Sequence, residues 1–111
     1  MQVLGIKTDL IKPGDDLADK LEKAMNDADL ALQDGDILVV SESTLATAEG
    51  RLVYLEDVEP SPMARLMAER YEKDPREMQL ILEESDQIVG GIPGVVLTLR
   101  EGFLYPNAGI D

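Results

Sequence analysis

The chemistry available to this chain begins with its last residue. Asp111 follows the turn-forming run Asn107-Ala108-Gly109 behind a β-type stretch, and a carboxylate presented that way suits an oxygen ligand for Mg²⁺ or Mn²⁺. On physics alone a solvated acidic loop residue is the stronger reading of Asp111. A second group is the hydroxyl cluster Ser41, Ser43, Thr44 and Thr47, which follows an apolar run; ligand contacts often collect at strand ends in layered α/β arrangements. As bare hydroxyls they more often serve as surface polar groups. Paired carboxylates (Asp15-Asp16, Glu56-Asp57, Glu83-Glu84) lie on or beside helical segments, where adjacent acids are ordinarily solvated. Gly90, Gly91 and Gly94 fit neither phosphate-cradling glycine spacing and read as punctuation.

Absences narrow the field further. The chain contains 0 Cys and 0 His. Within it, that excludes disulfides, thiolate nucleophiles, zinc–cysteine sites, iron–sulfur clusters, imidazole ligands and the Ser–His relay. Carboxylates, hydroxyls, lysines, arginines and backbone amides remain. With 23 acidic against 10 basic residues the net charge is −13, which repels nucleic acid and anionic lipid. An anionic nucleotide would need local help from backbone N–H groups, a lysine or arginine, or a divalent cation. Acid-rich composition also serves solubility alone.

The elements that position these groups follow from pattern. At 111 residues, 44% apolar and 30% charged, the chain has the size and composition of one compact folded unit. Val3–Ile6 reads as a strand ending in the turn Lys12-Pro13-Gly14. Leu17, Leu21, Ala24, Met25 and Ala28 recur with helical period behind Asp16, a suitable N-cap. Ile37-Leu38-Val39-Val40 predicts a central strand covered on both faces, Leu45–Glu49 a short helix ended by Gly50, and Arg51–Leu55 another strand. Ser61-Pro62 and Asp74-Pro75 each place a cap before a first-turn proline. Two helices should follow, with Met63, Leu66, Met67 and Tyr71 on one apolar face and Met78, Ile81, Leu82 and Ser85 on the other. Glu77 stands where a side chain can reach back to the Asp74 N–H. Val95–Leu99 and Phe103–Tyr105 predict a hairpin turning at Glu101-Gly102. The expected fold class is α+β, a mixed or antiparallel sheet with three to four helices in a single layer-packed domain. No apolar run approaches the roughly 20 residues needed to cross a bilayer, and a cytoplasmic location is expected.

Six segments occur in the order and rough spacing of the coenzyme F(420)-0:L-glutamate ligase family. They are Ile11–Leu17, Asp34–Val40, Ala48–Arg51, Pro60–Pro62, Glu83–Ser85 and Asn107–Asp111. Each is common alone; together, closing on Asn-Ala-Gly-Ile-Asp, they are specific, and the chain resembles that family along its whole length. The length is similar to the first half of the family's enzyme, so residues 1–111 are expected to form the N-terminal, incomplete portion of a γ-glutamyl ligase-like domain. The resemblance implies GTP-dependent addition of L-glutamate in γ-linkage to a deazaflavin coenzyme precursor. It implies Mg²⁺ or Mn²⁺, GTP as co-substrate, an archaeal-type pathway and a homodimer, with no nucleic acid or membrane partner. Carried across residue by residue, Leu10, Ile11, Glu42, Ser43 and Thr47 match nucleotide-contacting positions and Asp111 a metal-binding aspartate; no catalytic residue is assigned.

Two departures stand out. Glu42 occupies a position where many relatives have serine, and Thr47 one where many have a lysine that would offer positive charge to phosphate. They favour an alternative reading, a non-catalytic, acidic interaction or regulatory domain that could pair as a homodimer; under the ligase reading the fragment alone is expected to be inactive.

Overall fold

The computed structural model describes all 111 residues. It has the expected α+β class, with four α-helices and an antiparallel three-stranded sheet. Packing resolves two compact units, Met1–Leu52 and Val53–Asp111, where composition and length suggested one.

In the first unit the helices are α1, Leu17–Asp27, and α2, Glu42–Ala48. Asp16 caps α1 by accepting the Asp19 N–H at 3.1 Å. The helix ends on Asp29 in left-handed conformation, with the Leu30 N–H reaching the Met25 carbonyl and the Asp29 N–H reaching that of Asn26. Ser41 caps α2, and Gly50 with φ +71° closes it through Gly50 N–H to Thr47 and Arg51 N–H to Ala46. Helix α2 thus begins three residues earlier than its apolar pattern indicates.

The strands predicted over 3–6, 37–40 and 51–55 are not formed, because the sheet consists of three later segments. Ile37 and Val39, expected to be covered on both faces, are 88% and 85% exposed, and residues 55–57 form a single 3-10 turn. β-Branched residues favour extended backbone, but a strand is completed only by a neighbour that satisfies its amides.

The second unit holds α3, Pro62–Tyr71, and α4, Pro75–Glu84, followed by β1, Gln87–Ile92, β2, Val95–Arg100, and β3, Phe103–Pro106, paired in the order β1-β2-β3. Its core joins Ala64, Ala68 and Tyr71 of α3 to Met78 and Ile81 of α4 and Val96 of β2. Met67 and Leu82 pack against this cluster as expected, whereas Met63 and Leu66 stay exposed. Small alanines let α3 approach closely, and full burial of Met78 and Ile81 stabilises the unit by about 1.5–3 kcal/mol each. The predicted hairpin is present: Glu101 and Gly102 both have positive φ, as a two-residue turn matched to strand twist requires.

Strand β1 was hidden by its glycines. Gly91 lies inside it because a Cβ there would stand 2.6 Å from the Val95 carbonyl oxygen and 2.8 Å from the Tyr71 ring. Glu77 also departs from expectation: it pairs with Lys73 at 2.6 Å instead of returning to the cap. Asp74 instead accepts the Arg76 N–H at 2.8 Å and holds its guanidinium in a two-bond fork at 3.0 and 2.7 Å. These bonds, side-chain first, lower the Asp74 pKa from 3.8 to about 2.

Gly91→Ala should therefore destabilise the chain by about 1–3 kcal/mol in urea unfolding, and an unchanged midpoint would refute the close approach of Tyr71. A depressed carboxylate pKa contributes stability that is complete above the ordinary value of 3.8 and lost as pH falls through about 2. The difference in Tm between wild type and Asp74→Asn should be constant above that ordinary value and shrink toward zero as pH approaches 2.

Candidate functional site

A short turn organises the first unit's polar surface. Asp15 accepts the Lys12 N–H at 2.8 Å, and Gly14, with φ +87°, donates its N–H to the Ala48 carbonyl at the end of α2 at 2.9 Å. The same Lys12 bond is the main cause of a lowered Asp15 pKa, so this carboxylate stays charged and the turn stays closed at neutral pH. The loop before it is thereby laid beside α2. Between them lies an open cleft of about 520 Å³ lined by Thr8, Asp9, Leu10, Ile11, Ser43, Thr44 and Thr47.

Four of the residues assigned to nucleotide contact, Leu10, Ile11, Ser43 and Thr47, line this one cleft, and Glu42, the first residue of α2, does not. Thr8 and Asp9 line it as well, although nothing in their spacing singled them out. The only sequence signal for them is adjacency to Leu10-Ile11 ahead of the Lys12-Pro13-Gly14 turn.

The lining carries no lysine or arginine. Thr47 donates its hydroxyl to the Ser43 carbonyl at 2.8 Å, which leaves its oxygen only as an acceptor. Ser41 and Thr44 share a hydrogen bond at 2.6 Å. Asp9 would repel an anion, but Lys23 meets it at 3.2 Å while also reaching Asp27 at 3.5 Å. Its bond to Asp9, first among several causes, raises the Lys23 pKa and keeps the ammonium charged. The cleft is therefore a mixed polar and apolar surface in which Lys23, shared between Asp9 and Asp27, partly offsets the Asp9 charge.

Asp111 belongs to the second unit, exposed and two residues beyond the 3-10 turn Asn107–Gly109. No three carboxylate, imidazole or thiol groups converge anywhere in the chain. These side chains alone form no cation cage.

Comparison with known proteins gives this architecture its class. The family model described as "F420-0:Gamma-glutamyl ligase" matches residues 5–111, and the chain belongs to that family of γ-glutamyl ligases. Among individual proteins, "Coenzyme F420:L-glutamate ligase" of Methanothermobacter thermautotrophicus is 43% identical over 103 residues, covering 92% of this chain and 41% of that protein. The Methanopyrus kandleri protein of the same name is 39% identical over 102 residues, covering 91% and 38%. That of Methanocaldococcus jannaschii is 30% identical over 112 residues, covering 100% and 43%. The chain thus spans about two-fifths of the length of these relatives. No helix is long and apolar enough to cross a membrane.

The wall of the cleft depends on a marginal helix of 7 residues. The Ser41 cap bond to Thr44 N–H is long, at 3.4 Å, so Ser41→Ala should cost about 0.5–1 kcal/mol. Amide exchange at Thr44 and Leu45 should accelerate with α1 unaffected; unchanged exchange would show that the cap does not hold α2.

Proposed function

We propose that this chain is the nucleotide-facing portion of a ligase that adds L-glutamate in γ-linkage to the coenzyme F(420) precursor at the expense of GTP. The observation that carries this is the family match over residues 5–111, within which Leu10, Ile11, Ser43 and Thr47 line one cleft. Activating a carboxylate for amide formation needs a leaving group, which phosphoryl transfer from GTP supplies as an acyl phosphate. In this reading the cleft positions the nucleotide: Leu10 and Ile11 offer apolar contact and the Ser43 and Thr44 hydroxyls offer hydrogen bonds. Lys23 offsets the charge of Asp9.

A divalent cation, Mg²⁺ or Mn²⁺, belongs to the proposal with Asp111 as a single ligand. The other ligands would be groups that the side chains of this chain do not supply. A homodimer in the cytoplasm is part of the same reading. A second reading, a non-catalytic interaction domain, is favoured by the lack of any lysine or arginine in the cleft lining.

GTP titrated calorimetrically in the presence of Mn²⁺ separates the two. Thr47→Lys adds a cation beside the bound phosphates and should tighten GTP binding about tenfold, which corresponds to about 1.4 kcal/mol. Asp111→Asn should weaken the Mn²⁺-dependent part. If Thr47→Lys binds no GTP at millimolar concentration, the nucleotide reading fails and the non-catalytic one stands.

A further inference from the structure

Thr98 is a polar residue of the sheet that is fully buried, 0% exposed, and it faces Tyr105 across the β2–β3 ladder. A hydroxyl in that position must find partners, and it has two in different segments. Its Oγ1 donates to the Tyr105 carbonyl at 2.9 Å and accepts the Ala108 N–H at 3.1 Å. The second bond leaves the sheet and enters the turn that precedes Asp111.

That turn is unusual backbone. Asn107, Ala108 and Gly109 have φ of 50°, 55° and 75°, a left-handed run that asparagine and glycine tolerate and alanine resists. Such strain persists where surrounding structure over-determines it. Here the holding contacts are tertiary on one side and local on the other. The Val96 N–H donates to Asn107 Oδ1 at 2.9 Å, while the Ile110 N–H closes onto the Asn107 carbonyl at 3.0 Å. Ala108 and Ile110 also pack against the core of the second unit.

We propose that Thr98 is a positioning residue: its hydroxyl locks the 107–109 turn onto β2 and so sets the direction in which the Asp111 carboxylate is presented. The inference rests on the reading of Asp111 as a cation-facing group and deepens it. Thr98 acts through the turn and needs no contact with a ligand.

NMR of the 111-residue chain tests this with two near-isosteric changes. Thr98→Val keeps the shape and removes the hydroxyl; Thr98→Ser keeps the hydroxyl and removes the methyl group. Exchange of the Ala108 amide should accelerate about tenfold or more in the valine variant, with loss of backbone order at Ile110 and Asp111. Protection of α3 and α4 should remain, and serine should behave as wild type. A packing role reverses the ranking, with valine normal and serine impaired, and that result would overturn the proposal. If the valine variant does not fold, Thr98→Ser against Thr98→Ala makes the comparison, since only serine retains the hydroxyl; equal order at Asp111 in both overturns it. Mn²⁺ added to the wild type distinguishes failure of the underlying reading. Selective broadening at Asp111, lost in Asp111→Asn and reduced in Thr98→Val, supports both claims. Its absence in the wild type overturns the cation reading and the functional role given to the clamp.

Discussion

Strand β2 has helices on one of its faces only, and the second unit is arranged around that fact. Val96 and Thr98 alternate onto the covered face, where Val96 meets the core built by α3 and α4. Because side chains in a strand repeat every two residues, this parity fixes which residues of β1 and β3 face inward once the registers are set. It places Ile88 and Tyr105 opposite Thr98, and it leaves Leu97 and Leu104 exposed. In β1 the parity is broken by a register shift between Ile88 and Gly90, which brings Gly91 under Tyr71, a position no larger residue can take without displacing backbone.

The first unit is held differently. Ala24 and Ala48 are its buried apolar residues, so little of its order comes from a core. Caps, left-handed helix ends and the Gly14–Ala48 bond do that work, each closing over a short stretch of backbone except the last. A candidate binding surface on such a frame is set by hydrogen bonds, and its shape follows from where the Lys12–Asp15 turn docks on α2.

Charge and family likeness have to be reconciled at this surface. An excess of acid opposes phosphate at long range, yet salt and local pairing decide the field within a few ångströms. Lys23 beside Asp9 shows that pairing, while the cleft lining itself, Thr47 included, carries no lysine or arginine.

Local signals in the sequence determined the helices of the second unit, their proline-marked starts and the Glu101-Gly102 hairpin, because caps and turns act between residues a few positions apart. The segment order that carries the family likeness was equally legible. Tertiary structure decided what depends on partners distant in the chain. Ile37–Val40 has the composition of a strand and lacks a neighbour to pair with, whereas Gln87–Ile92 contains two glycines and becomes a strand because β2 lies beside it. The same holds for the site. Ser43 and Thr47 could be picked out as hydroxyls, but their meeting with Leu10 and Ile11 required a loop folded back over more than 30 residues of chain. Thr98 reads as an ordinary strand residue until burial makes its hydroxyl answer for two backbone groups, since pairing and burial are properties of the folded chain.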